Sequence, residues 1–168
     1  MKRYVTFYNL IFPFWLILFF PPVILLTIIG NYIIDSLVLV GCYKVYRLQD
    51  KDINLKPFYK EHILSVVVYG FLADIIGVAL LLVCTWSDLF GLSNEIVSAI
   101  SYNAFSHPMA FIIVLLAVLI SFIFIFIFNY KKVFDKSIMD KALRIKIAIS
   151  IAIVTIPWTF FVPMEWFY

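Results

Sequence analysis

Long runs of apolar residues alternate with short polar stretches along this chain. Four runs contain almost no charged residues: 4–43, 62–87, 109–129 and 147–163. A membrane-spanning α-helix needs about 20 consecutive, mostly apolar residues. The pattern therefore predicts transmembrane helices, and Asp35 and Asp74 are the only charged side chains within the four runs.

The first run is long for one membrane span and short for two. Pro21 and Pro22 divide it, because a proline pair ends one helix and is accepted in the first turn of the next. The predicted fold is an all-α polytopic transmembrane helix bundle in a single domain. We expect a short hydrophobic segment and then four clear spans, at about 5–20, 23–44, 63–84, 109–128 and 147–164.

Basic residues predict the orientation of the bundle. The loops at 45–62 and 130–146 are rich in Lys and Arg, whereas the loop at 85–108 has neither. The positive-inside rule makes the first two loops cytoplasmic and the third external. Lys2 and Arg3 favour a cytoplasmic N-terminus, which requires the segment at 5–20 to cross the membrane or to form a re-entrant hairpin. One kinked helix with an external N-terminus is the alternative. The C-terminus is external in both cases.

The external loop contains a second, weaker signal. Ser93 is a plausible helix N-cap and Glu95 favours a helix N-terminus, so we expect a short interfacial helix there. No small-residue cleavage site follows the first apolar run, and we therefore expect no cleaved signal peptide. The expected location is a plasma or inner membrane.

Composition strengthens the membrane assignment and excludes a soluble globular domain and a nucleic-acid-binding protein. The chain is 65% hydrophobic and 14% charged, with a mean hydropathy of +1.07, whereas globular proteins are about half apolar and about a quarter charged. A soluble domain of 168 residues could not bury so much apolar surface, and the basic residues form no nucleic-acid patch. The cysteines and histidines have no ligand spacing, so no metal and no cofactor is predicted; we expect His62 and His107 to be boundary and turn residues.

Asp35 and Asp74 are the most informative residues for function. Each lies near the centre of its predicted span, where an ionised carboxylate costs about 3 kcal/mol on insertion scales. Neither is therefore expected to face lipid. No Lys or Arg lies at that depth, so we expect at least one of the two carboxyls to hold a proton near pH 7.

Helical spacing groups other residues with the two acids. Thr27, Asn31 and Asp35 are each four apart and share one helix face. Gly70, Asp74 and Gly77 share a face on the next span, and Ala73 with Gly77 forms a small-xxx-small pair that lets helices approach closely. We expect this glycine-flanked Asp74 to face Asn31 and Asp35 across two antiparallel spans.

Three functions fit this arrangement. The first is ion- or proton-linked transport or channel activity at the midplane carboxyls. The second is a non-catalytic accessory or structural subunit of a larger membrane complex, in which the polar residues bond helices together. Four or five helices barely enclose a pore, so the expected partners are lipid and either further copies of the chain or other membrane subunits, and not nucleic acid. The third function is intramembrane hydrolysis.

The hydrolase hypothesis rests on residue type alone. Two intramembrane aspartates make the chain similar to aspartyl intramembrane proteases. Those enzymes carry a Gly-x-Gly-Asp element, whereas this chain has Phe71-Leu72-Ala73-Asp74. No other catalytic motif is present in the sequence, and we therefore predict no enzymatic activity.

The predicted topology places Cys42 and Cys84 at opposite membrane surfaces. A disulfide needs Cα atoms within about 7 Å, so the two thiols cannot meet within one chain. Mass spectrometry of a non-reducing digest should therefore recover both cysteine peptides unlinked. Recovery of a Cys42–Cys84 peptide pair would contradict the topology.

Overall fold

The structure, a computed structural model, describes residues 13–19, 23–86 and 90–166 and confirms the all-α prediction. No strand occurs among these residues. Four helices are long and apolar enough to cross a membrane. The helices are α1 (Phe14–Ile17), α2 (Val23–Val45), α3 (Leu55–Trp86), α4 (Asn94–Tyr102), α5 (Pro108–Phe128) and α6 (Lys141–Thr155).

The hydrophobic N-terminal segment predicted at 5–20 lies largely outside the described residues, as do Pro21 and Pro22. Its described part contains the single turn α1. Trp15 on α1 is buried and its indole Nε1 donates a hydrogen bond to the carbonyl of Ile100 on α4, at 3.3 Å. The segment 13–19 therefore lies at the same end of the bundle as α4.

Helices α2 and α5 begin and end within a residue or so of the predicted spans, but α3 and α6 do not. Helix α3 begins at Leu55, inside the segment predicted as a loop, and its 32 residues extend about 48 Å at 1.5 Å each. This exceeds the roughly 30 Å hydrocarbon core of a bilayer. The first two turns of α3 carry Lys56, Lys60 and Glu61, which are good helix formers and are suited to water or headgroups.

Helix α6 differs most from its predicted span, because it begins at Lys141 and ends at Thr155. A residue before proline is restricted to extended backbone, and Ile156 has φ −59° and ψ 151° ahead of Pro157. The chain then continues in a short 3₁₀ turn, Trp158–Phe161. Pro157 therefore ends the helix.

Two buried apolar clusters hold the helices together. One lies at the α4 end and includes Trp15, Leu81 and Val114. The other lies toward the charged loops and includes Phe58, Phe134 and Ile147. Helix α3 packs most extensively on α5, whereas α2 leaves most of its apolar side chains exposed. Exposed apolar side chains are expected of a helix that faces lipid.

Small residues allow α3 and α5 to approach each other closely. Ser121 on α5 is fully buried, and its hydroxyl donates a hydrogen bond to the carbonyl of Ala73, at 3.2 Å. A Cβ on Gly77 would overlap the Ser121 hydroxyl and lie 2.9 Å from Cε2 of Phe160 and 3.1 Å from the carbonyl oxygen of Ala117. This helix crossing therefore has no room for a methyl group at position 77.

Gly77→Ala should destabilise the bundle by about 1–3 kcal/mol, because an additional methyl group in a filled core forces the helices apart. Thermal unfolding in detergent measures the effect. Gly41→Ala is the matched control, since nothing lies within 4 Å of a Cβ at that position. Equal stability of the two variants would contradict the close α3–α5 approach.

Asp140 connects the start of α6 to the loop before α3. Its carboxylate accepts hydrogen bonds from the amides of Ala142 and Leu143, at 3.0 and 3.2 Å, and pairs with the Lys51 ammonium at 3.0 Å. The Lys51 hydrogen bond, with support from these amides, holds the pKa of Asp140 below its usual range. Asp140 is thus the N-cap of α6, and its ion pair with Lys51 connects the loop before α6 to the loop before α3.

The protein should therefore become less stable in acid, because protonation of Asp140 removes its contacts with Lys51 and the α6 amides. A lowered pKa in the folded state means that the stabilisation is present above the ordinary aspartate value of about 4 and is lost as the pH falls through the folded value. Asp140→Asn keeps a capping side chain and should unfold with a weaker pH dependence than the wild type below about pH 4. An unchanged dependence of the melting temperature on pH would contradict this role.

Candidate functional site

A cavity of about 340 Å³ lies beside α2, between α3 and the C-terminal end of α6. The predicted polar residues Thr27, Asn31, Asp35 and Asp74 all line it, and so does Gly70. The helical spacing that grouped these residues in the sequence thus corresponds to one concave surface. Their role in function stays a prediction.

The Asp35 carboxyl is buried without a partner. Asp35 is 5% exposed, and no hydrogen bond to its side chain comes from a residue that the structure describes. Its Oδ2 lies 4.0 Å from the position that a Cβ would take on Gly70. Gly70 therefore lies directly beside the carboxyl, at ordinary contact distance.

The Asp74 carboxyl lies one helical turn from Gly70, on the same face of α3. Its Oδ1 atom is buried and has no hydrogen-bond partner among the described residues. An unpaired buried polar atom costs about 1–3 kcal/mol. This oxygen, beside the Asp35 carboxyl, favours a proton, a cation or water in the cavity over a bonded interface between helices.

Thr27 and Asn31 give the cavity further polar atoms. The Thr27 hydroxyl donates to the carbonyls of Val23 and Leu18, at 3.1 and 3.2 Å, so its oxygen is free to accept from the cavity side. Asn31 lies between Thr27 and Asp35 on the cavity wall. A line of oxygen acceptors therefore follows α2 toward Asp35.

The other two predicted packing residues, Ala73 and Gly77, contact α5. The sequence placed Gly77 on the face of Gly70 and Asp74 and named no partner helix for the Ala73–Gly77 pair. In the structure the small residues of α3 divide between two neighbours. Gly70 lies beside Asp35 on α2, whereas Ala73 and Gly77 permit the close crossing with Ser121. Asp74 is thus held on a helix that is tightly fixed on its other side.

The sequence did not predict the contribution of α6. Val154, Thr155 and Ile156 line the cavity where the helix ends. The last carbonyls of a helix lack intrahelical donors, and the C-terminus carries the negative end of the helix dipole. Pro157, which has no amide hydrogen, was the available signal. The helix end adds further negative potential beside the two carboxyls.

Aromatic side chains form the remaining wall. Phe19 and Phe71 pack with ring centroids 5.2 Å apart, and Trp158 and Phe160 also line the cavity. No Lys, Arg or His occurs among the lining residues that the structure describes. The cavity is therefore acidic on one side and aromatic on the other.

The buried arginine of the bundle lies elsewhere. The Arg144 guanidinium donates to the backbone carbonyl of Asp135, at 3.0 Å, pairs with the Asp135 carboxylate, and lies 4.5 Å from the centre of the Tyr130 ring. These groups neutralise Arg144 at the loop between α5 and α6. Arg144 is not a counter-ion for the acidic cavity.

His62 was expected at a membrane boundary, but it is 2% exposed. Its ring lies between those of Phe58 and Phe134, with centroids 4.7 and 5.0 Å away. Nδ1 contacts the Phe58 carbonyl at 2.7 Å and must carry a proton, since a carbonyl only accepts. Nε2 is 2.6 Å from the Ser137 hydroxyl. These contacts satisfy both ring nitrogens, so His62 fastens the α5–α6 loop to α3.

The cavity can bind a positive charge or exchange a proton. Asp74 Oδ1 is buried without a partner among the described residues, the described lining holds no cation, and a helix C-terminus adds to the negative potential. A helix that breaks beside carboxylates at mid-depth is an arrangement used for cation and proton sites in membrane transporters. Comparisons of the chain with protein-family models, curated proteins and solved structures give no match.

Proposed function

We propose that this small integral membrane protein carries or conducts a proton or a small cation through the acidic cavity. The observation that supports this most strongly is the buried Asp74 Oδ1, which has no hydrogen-bond partner among the described residues, beside the Asp35 carboxyl. Asp35 and Asp74 would bind the transported charge, and Asn31 and Thr27 would offer further oxygen ligands. Four helices barely enclose a path, so several copies of the chain would assemble.

The alternative, an accessory subunit of a larger membrane complex, assigns the acids a structural role. Interhelix bonding requires a donor for each carboxyl on a neighbouring helix, and the described residues offer none to Asp74 Oδ1. The cavity also leaves open space where a structural contact would be filled. Transport is therefore the better supported of the two functions. The hydrolase hypothesis gains no further residue from the described lining.

Flux through vesicles tests the proposal. Purified protein in sealed vesicles should dissipate an imposed proton or sodium gradient, measured with a pH-sensitive or sodium-sensitive dye inside. Asp35→Asn and Asp74→Asn should each reduce the flux at least about tenfold, because Asn matches the shape of a protonated acid but cannot exchange a proton or pair with a cation. Their melting temperatures should stay close to the wild-type value.

Asp50→Asn is the control for a change of charge, since Asp50 is exposed in the loop after α2. It should leave the flux unchanged. Full flux in both cavity variants would contradict a role for the two acids. A wild-type protein without flux that co-purifies with another membrane protein would instead support the accessory-subunit alternative.

A further inference from the structure

We propose that the cavity accepts an organic ammonium cation with an apolar body, such as a tertiary or quaternary amine. This inference rests on the proposed cation site and names its substrate class. Three features of the cavity carry it: the volume, the separation of acidic and aromatic walls, and the lack of a compact set of metal ligands. Each is visible in the residues that the structure describes.

The volume exceeds what a small inorganic ion requires. A water molecule occupies about 30 Å³ in the liquid, so the cavity of about 340 Å³ is far larger than one ion. It falls within the range of about 300–1,000 Å³ that is typical of pockets for small organic molecules. A ligand with an apolar body would fill this space, whereas a bare ion would leave most of it to water.

The cavity combines two kinds of lining. Along α2 it extends from Thr27 to Asp35, about 12 Å at 1.5 Å per residue. Asp35 and Asp74 supply negative charge, and Leu18, Phe19 and Trp158 supply apolar surface. An ammonium group would pair with the carboxyls while the apolar body packs on the rings.

Aromatic faces favour this class of ligand further. Cations bind over the faces of Trp, Tyr and Phe, and quaternary ammonium groups are recognised in this way. Phe71 follows Gly70 directly in sequence and pairs with Phe19 across the cavity wall, at 5.2 Å between centroids. The same wall that gives apolar contact therefore also attracts positive charge beside Asp35.

A dehydrated metal ion fits the site less well. Hard cations such as calcium take six to eight oxygen ligands at short distances. No group of three or more His, Cys, Asp or Glu side chains comes together among the described residues, and the two carboxyls face open space. An ammonium ion needs fewer ligands, since its apolar substituents replace the rest of the hydration shell.

Calorimetric titration with benzyltrimethylammonium chloride tests the inference. The full chain is placed in nanodiscs of zwitterionic phosphatidylcholine, which removes attraction by anionic lipid. The wild type should bind the probe saturably, and Asp35→Asn should weaken binding more than about tenfold, because the cation loses its ion pair in a poorly screened site. Neopentylbenzene, the uncharged carbon isostere, should bind the wild type and Asp35→Asn equally.

A second pair of variants tests the aromatic wall and remains informative if Asp35→Asn fails to fold. Phe71→Leu should weaken binding of the ammonium probe severalfold, with a smaller effect on neopentylbenzene. Phe126→Leu is the control, since Phe126 lies on α5 and stacks on Tyr130, away from the cavity. Probe binding that Asp35→Asn or Phe71→Leu leaves unchanged would overturn the inference.

The outcomes separate this inference from the proposed function. Saturable binding that depends on Asp35 and Phe71 supports the organic-cation site. Vesicle flux of protons or sodium that depends on Asp35, without binding of benzyltrimethylammonium, overturns the organic ligand but leaves the proposed function standing. Absence of both flux and binding in folded wild-type protein overturns both.

Discussion

The main constraint on this structure is the free-energy cost of placing carboxyl groups inside an apolar bundle. A buried acid must find a cation, a hydrogen-bond donor, a proton or water. The described neighbours of Asp35 and Asp74 provide neither a cation nor a donor to Asp74 Oδ1. The bundle instead leaves a cavity at that depth, which Gly70 lines together with both acids. Under the proposed function, a positive charge that enters the cavity would offset this cost.

Two backbone features hold the acids in this position. The α3–α5 crossing at Gly77 fixes the helix that carries Asp74, because Ser121 and Phe160 fill the space beside it. Pro157 ends α6 beside the cavity, so that a helix C-terminus and not a continuous helical wall faces the carboxyls. Tight packing against α5 thus fixes the helix that carries Asp74. The C-terminal end of α6 adds negative potential on the cavity side. Binding sites on fixed elements hold their ligands more accurately than sites on loops.

Much of the fold and part of the site could be predicted from the sequence. Apolar runs with almost no charge predicted the existence of the four long helices, and the four-residue spacing of Thr27, Asn31 and Asp35 predicted that they share one wall. Periodicity identifies residues that share a helix face, but it does not identify the helix that the face will meet, and the contact of Ala73 and Gly77 with α5 was therefore missed. The end of α6 depends on how Ile156 and Pro157 break the helix. The burial of His62 depends on Ser137 and Phe134, which are distant in sequence.

Infrared difference spectroscopy on the protein in nanodiscs tests the central claim most directly, because it observes the carboxyl groups themselves. The account predicts that adding a cation at constant pH changes the carboxyl bands of the wild type. Part of the change should be missing in Asp35→Asn and part in Asp74→Asn. Carboxyl bands that do not respond to any inorganic or ammonium cation, in protein shown to be folded, would contradict a charge-binding cavity and would make the two acids structural.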